Sequence, residues 1–213
     1  MKTLILLSLA LFSLSSTLYA TSTYKDHQYG HYVSKSHLYD IFKKVKERTR
    51  ISQQALAKTF YYYEKNRYRQ GLSRDFLAIA DYTKPATQKR LYIINLHSGK
   101  VRQYLVAHGK NSGARGGRVL KSSNRQGSHM TPFGFFKIGD KEGITYKKKY
   151  NYLSVEGLEW KNRNAKQRDI LLHTASYVAR AGRSYGCFAI LPQDRWQVFS
   201  RLKTALFYSY TGR

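Results

Sequence analysis

The hydrophobic period changes once along this chain, near Gly71, and that change restricts the fold more than any other feature. Before it, Leu38, Ile41, Phe42 and Val45 recur at helical spacing. Asp40 sits early in that segment, while Lys43, Lys44, Lys46 and Arg48 sit late, which suits the helix dipole. Ser52 is a candidate N-cap for a second helix with Leu56, Phe60 and Tyr63 on one face. Residues 37–70 therefore predict a helical hairpin. From residue 75 the period is two. Phe76 to Asp81 and Arg90 to Leu96 are candidate strands, and His97-Ser98-Gly99-Lys100 turns the chain back into Val101 to His108. Phe133 to Ile138, Asp169 to His173 and Leu206 to Tyr210 read as further strands. Pro192 fits the first turn of a helix through Trp196, Val198, Phe199 and Leu202, with Trp196 and Phe199 expected in the core. The sum is a mainly β, mostly antiparallel domain with peripheral helices.

Two stretches resist this pattern. Residues 109–128 hold Gly109, Gly113, Gly116, Gly117 and Gly127 among Ser, Asn and Arg, and predict a long flexible loop of the kind that often carries function. The loop lacks a Gly-Lys-Ser/Thr ending, which argues against a phosphate-binding P-loop. Residues 141–152 form a basic-aromatic stretch in which Tyr146 and Tyr150 flank Lys147-Lys148-Lys149. That run is either a solvated face or a grip on an anionic polymer.

The first twenty residues read as an address. Lys2 precedes an apolar run from Leu4 to Leu14, and Ser15 to Thr17 lead to Leu18-Tyr19-Ala20. This predicts a secretory signal peptide, residues 1–20, cleaved after Ala20. The run is short for a membrane span, the alternative being an uncleaved anchor. Residues 21–36 are polar and aperiodic and are expected to be a mobile segment. The organisation is then a signal peptide, an N-terminal segment with a helical hairpin over 21–70, and a catalytic domain over 71–213. The expected location is periplasmic or extracellular, with no stable membrane span after cleavage.

Export sharpens two numbers. The chain carries 38 Lys+Arg against 12 Asp+Glu, a formal net charge of +26. Such a charge predicts an anionic partner. An exported protein meets anionic envelope polymers more readily than nucleic acid, and no nucleic-acid motif is present. The chain also has a single cysteine, Cys187, which excludes a disulfide scaffold and a Cys-rich zinc module. Oxidising compartments disfavour unpaired thiols, so Cys187 is either a buried small hydrophobe or a nucleophile.

The surroundings of Cys187 favour the nucleophile. Ile170-Leu171-Leu172-His173-Thr174-Ala175 is an apolar strand that delivers His173 to its end. In Gly182-Arg183-Ser184-Tyr185-Gly186-Cys187-Phe188-Ala189-Ile190 the cysteine follows a glycine turn and precedes an apolar strand. An unperturbed thiol, of pKa about 8.5, is only slightly ionised near neutrality, so it needs a base such as an imidazole. The developing oxyanion needs backbone N–H donors, here expected from Gly186 and Cys187. The leaving amine needs a general acid, which the protonated histidine supplies. His108 and His129 are read mainly as loop structure, with substrate contact as the alternative.

At these motifs the chain resembles the YkuD-type murein L,D-transpeptidases, and in particular the branch described as the murein L,D-transpeptidase catalytic domain family. Supporting stretches are Arg90 to Leu96, Tyr104 to Gly113, Thr131 to Phe136 and Gly157 to Glu159, so the likeness runs from about residue 72 to 210. The resemblance implies a β-sandwich-like catalytic domain preceded by the hairpin. It implies that Cys187 attacks a peptide carbonyl of a peptidoglycan tetrapeptide stem, with His173 as base and D-alanine as leaving group. An acceptor amine then gives a 3→3 cross-link, or water gives carboxypeptidase activity. No cofactor or metal is implied. Ser184, Tyr185, Gly186, Arg183 and Thr174 are implied to shape the turn, touch substrate or orient the imidazole, Thr174 through its carbonyl oxygen or hydroxyl. Enzymes of this kind are often acylated by carbapenems. Two positions depart from the common pattern. Tyr185 stands where many members have His, and Ala189 stands where many have Arg, with Arg183 a candidate replacement charge. The competing reading is a non-catalytic cationic envelope-binding protein.

Overall fold

The computed structural model describes residues 32–180 and 183–212. The expected signal peptide lies outside the described residues, as does Gly182 of the cysteine motif. The hairpin is present as α1 (His37–Arg48) and α2 (Gln53–Asn66), and Leu38, Ile41, Phe42, Val45, Leu56, Phe60 and Tyr63 are all buried. The Ser52 hydroxyl accepts the Ala55 N–H at 3.5 Å, so the expected cap is in place. Residues 32–36 depart from the expectation of a mobile segment. Tyr32 is buried, and the Glu64 carboxylate accepts hydroxyl bonds from Tyr32, Ser34 and Ser36 at 2.6, 2.5 and 2.6 Å. Burial pushes the Glu64 carboxyl up, but these three donors outweigh it and hold it below its usual range.

The strands are β1 (Phe76–Asp81), β2 (Leu91–Asn95), β3 (Val101–Tyr104), β4 (His108–Gly109), β5 (Gly134–Ile144), β6 (Asn151–Gly157), β7 (Leu171–Thr174), β8 (Arg183–Ser184), β9 (Phe188–Ile190) and β10 (Leu206–Tyr210). Eight of them form one sheet in the order β3-β2-β1-β10-β5-β6-β7-β9, and β4 pairs with β8. Most neighbours in this sheet are antiparallel, as expected, but β1 with β10 and β7 with β9 are parallel, and so is the separate β4–β8 pair. Turn residues reveal hairpins but not the long crossovers that parallel neighbours need.

The sheet curls on itself. Phe188 of β9 and Phe207 of β10 have ring centroids 4.5 Å apart. Three strands lie between them in sheet order, and a flat sheet at about 4.8 Å per strand would hold them roughly 19 Å apart. The edges are also joined, because the Ala107 N–H donates to the Ala189 carbonyl at 2.9 Å. Inside the curl, Ala78, Ile93, Phe136, Leu153, Leu172 and Phe188 share one core with Val198, Phe199 and Leu202 of α3 (Arg195–Leu202). Outside it, Leu77, Ile79, Ile94 and Leu206 pack under the helical hairpin. Successive residues of β1 thus face two cores, which explains its unbroken apolar run. The architecture is a sandwich-like, mainly β domain with peripheral helices.

Three sequence expectations need correction. Trp196 is 79% exposed, not core. At 100° per residue it lies roughly 110° round α3 from the Val198–Phe199–Leu202 stripe. The expected hairpin partner of β2 stops at Tyr104, after which the chain crosses to β8 and β9. The strand expected to end at Ile138 runs on to Ile144, past a bulge, and turns into β6.

Arg90, read as the start of a strand, is fully buried. Its guanidinium donates to the Val106 carbonyl at 2.9 and 3.1 Å, to the Lys84 carbonyl at 2.8 Å and to His108 Nδ1 at 2.9 Å, above the Tyr82 ring. Burial brings its pKa down to about 10. Replacing Arg90 by Met leaves these buried carbonyls without donors, and each orphaned group costs about 1–3 kcal/mol. Arg90→Met is expected to lose about 3–5 kcal/mol. Urea unfolding checks this, and an unchanged midpoint would refute the role.

Candidate active site

Parallel pairing of β7 with β9 assembles the two candidate residues. Leu172 is in register with Phe188, and His173 with Ala189. Continuing one residue back sets Cys187 beside Leu171. Cys187 and His173 then lie on one face of adjacent strands, two residues apart along the strand direction.

The histidine is held from three sides. Its Nδ1 lies 3.0 Å from the Thr174 carbonyl oxygen. A carbonyl only accepts, so Nδ1 carries the proton and Nε2 keeps a free lone pair. Thr174 therefore acts through its main chain. Tyr150 stacks on the ring at 5.0 Å and 11°, and Tyr177 meets it edge-on at 6.4 Å. Burial moves the His173 pKa below the usual histidine value, against the opposing effect of the Thr174 bond. The imidazole is neutral at neutral pH.

The thiol is at rest beside it. Cys187 Sγ donates to the Asp169 carbonyl at 3.2 Å, and no hydrogen bond joins it to His173. Burial pushes the thiol pKa up. The Leu171 N–H and the Arg168 charge pull it down, and the Asp169 carboxylate pushes it up. A thiol on the same face as an imidazole with a free Nε2 lone pair is an arrangement in which a base could take the proton of an attacking sulfur. Contacts of this kind are often long before substrate binds.

The turn before the cysteine is set by Ser184 and Gly186. The Ser184 hydroxyl accepts the Gly186 N–H at 3.0 Å and donates to the Cys187 carbonyl at 2.7 Å. The Gly186 N–H is thus engaged, which corrects its expected part as an oxyanion donor; the Cys187 N–H is the remaining candidate from this turn. Gly186 has φ +125°, and a Cβ there would stand 3.0 Å from the Met130 carbonyl oxygen and 3.3 Å from Ile170 Cδ1. Only glycine fits that conformation and that space.

Tyr185 is 68% exposed at the lip of the site. Lys110 Nζ lies 4.3 Å above its ring, and His129 meets it edge-on at 4.9 Å. His129 is therefore close to the cysteine turn. His108 is buried below the loop, where burial and then Arg90 drive its pKa down to about 4. Arg183 is exposed on β8, where its register partner is His108. The cation coupled to the thiol is instead Arg168. Residues 109–128, expected to be flexible, are tied to the following segment. Gly109 N–H donates to the Thr131 hydroxyl at 2.9 Å, Thr131 N–H to the Ser112 hydroxyl at 2.8 Å, and Ser123 N–H to the Thr131 carbonyl at 3.1 Å.

Sequence reasoning missed Arg168, the Asp169 carbonyl, and the Tyr150 and Tyr177 rings against His173. The Tyr150 signal was its place beside Lys147-Lys148-Lys149, but it turns inward while those lysines stay exposed. Arg168 gave no signal, since it is one of many basic residues.

The family model for the L,D-transpeptidase catalytic domain matches residues 47–210. No curated protein matches the chain. Among solved structures, an L,D-transpeptidase from Mycobacterium smegmatis is 14% identical over 64% of this chain and 58% of its own, with a TM-score of 0.37. The helical cell shape determining protein Pgp2 from Campylobacter jejuni is 17% identical over 65% of this chain and 49% of its own, with a TM-score of 0.38. An L,D-transpeptidase from Xylanimonas cellulosilytica DSM 15894 is 13% identical over 84% of this chain and 82% of its own, with a TM-score of 0.38. The chain spans about half the length of the first two. With the family model covering well over half of its residues, this protein belongs to the L,D-transpeptidase catalytic domain family.

Proposed function

We propose that this chain is an exported cysteine L,D-transpeptidase acting on peptidoglycan in the periplasm or outside the cell. Cys187 Sγ attacks the carbonyl between the L- and D-centres of a tetrapeptide stem, and His173 Nε2 takes the thiol proton. The Cys187 N–H donates to the tetrahedral oxyanion. The C–N bond to the terminal D-alanine breaks, and the His173 imidazolium protonates the departing amine. A thioester remains on Cys187. The amine of a second stem attacks it, giving a 3→3 cross-link and releasing the thiol.

One observation carries this reading. The imidazole is locked in the tautomer that leaves Nε2 basic, on the same face as the thiol, within a domain of the transpeptidase family. Tyr185, Lys110 and Arg183 give the lip hydrogen-bond donors and positive charge suited to a stem carboxylate. The net charge of +26 suits retention on an anionic envelope. Product analysis on a defined tetrapeptide muropeptide tests the reaction. Transpeptidation predicts free D-alanine together with a dimer joined 3→3. Tripeptide without dimer would make water the acceptor and the protein an L,D-carboxypeptidase. No D-alanine release and no adduct with a carbapenem would leave the cationic envelope-binding protein.

A further inference from the structure

We infer that Arg168 is a positioning residue for the Cys187 thiol: its guanidinium clamps residues 123–130 against the Gly186–Cys187 turn and presents a positive charge to the sulfur. The inference rests on the proposed role of Cys187 only for its consequence in turnover.

The guanidinium is anchored entirely by uncharged acceptors. Nη1 donates to the Ser123 carbonyl at 2.9 Å, and Nη2 donates to the Met130 carbonyl at 3.1 Å and to the Ser128 hydroxyl at 3.3 Å. No carboxylate pairs with it among the described residues. Nη2 also lies 3.5 Å from where a Cβ of Gly186 would stand, beside the Met130 oxygen that bounds the same space. One side chain therefore fixes the loop, and the loop in turn bounds the turn that carries the thiol. The backbone of Arg168 is fixed as well. Its N–H donates to the Asn164 carbonyl at 3.0 Å, and the next residue, Asp169, supplies the carbonyl that accepts the thiol's hydrogen bond.

The charge has a distinct task. Four groups bear on the thiol: Arg168 and Asp169 from the segment before β7, Tyr177 from the turn after it, and Tyr82 just past β1; His173 lies on the same face of the adjacent strand β7. Asp169 and the low-polarity surroundings disfavour a thiolate, and Arg168 opposes them. Burial costs the guanidinium some of its pKa, yet an arginine stays charged at any physiological pH. Lysine would keep the charge but not the fork of donors. Glutamine would keep one amide donor group but not the charge.

That difference supplies the test. The rate of Cys187 alkylation by iodoacetamide is measured against pH in the full chain and in Arg168→Gln and Arg168→Lys. Thermal unfolding reports folding, and amide exchange reports residues 123–130. Folded Arg168→Gln is expected to raise the midpoint by about one pH unit, so that alkylation at pH 7 falls about tenfold. Arg168→Lys is expected to keep the midpoint within a few tenths of a unit while exchange at 123–130 quickens. A folded Arg168→Gln with the wild-type midpoint would overturn the inference. Should Arg168→Gln fail to fold, Arg168→Lys decides: a retained midpoint with faster loop exchange supports the inference, and a midpoint raised by a unit or an unchanged loop refutes it. Alkylation needs no muropeptide, so the result stands apart from the identity of the substrate.

Discussion

Cys187→Ala is expected to abolish D-alanine release from a tetrapeptide muropeptide, by roughly 10⁴-fold or more. Removing the nucleophile of a covalent mechanism removes the pathway, leaving only what positioning and oxyanion donors achieve with water. The fold is expected to tolerate the change. The thiol donates one hydrogen bond, to the Asp169 carbonyl, and sits at the margin of the core rather than within it. Salt-dependent binding to isolated sacculi is expected to be unaffected, since it draws on surface lysines and arginines that the substitution leaves in place. D-alanine assays and sacculus pull-downs on the same preparation separate the two properties. Unchanged turnover in Cys187→Ala would place the chemistry elsewhere.

The second large effect is expected at His173. His173→Gln keeps a polar side chain but offers no base for the thiol and no acid for the leaving amine. General acid–base catalysis of this kind is worth about 10²–10⁴-fold, and the loss is expected in kcat and kcat/KM together. The pH profile carries the sign. The base works when neutral, and burial holds the His173 pKa below the ordinary histidine value. Activity is therefore expected to be full near neutrality and to fall only when the pH drops through that depressed value, below about 6.5. In His173→Gln this acid limb disappears along with most of the rate. Steady-state assays from pH 4 to 8 measure both. A wild-type limb centred above pH 7 would contradict the neutral resting imidazole.

Much of this was legible in the chain itself. Phe76 to Asp81 and Leu206 to Tyr210 are strands with the expected ends, because each is a short apolar run bounded by turn residues. Leu38, Ile41, Phe42 and Val45 mark a helix because one face is buried at 3.6-residue spacing. His173 and Cys187 were visible because an apolar strand that ends in a histidine, and a thiol that follows glycine, are unusual arrangements. What was hidden depends on tertiary contact. Nothing local distinguishes Arg168 from the other basic residues, since its acceptors lie about forty residues away at Ser123, Ser128 and Met130. The Gly186 N–H looked available because the sequence does not reveal that the Ser184 hydroxyl folds back on it. Asn151–Gly157 escaped notice as a strand because the basic run before it masks the alternation. Trp196 looked like core because helical spacing to Phe199 was counted without asking which stripe the rest of α3 buries.

The central claim is a thioester on Cys187, and intact-protein mass spectrometry during reaction with a tetrapeptide muropeptide tests it most directly. The account predicts a covalent adduct equal in mass to the muropeptide less D-alanine. It would map to Cys187, be discharged by an added amine and be absent from Cys187→Ala. D-alanine release without any such adduct under conditions that trap acyl-enzyme, or an adduct that persists in Cys187→Ala, would contradict it.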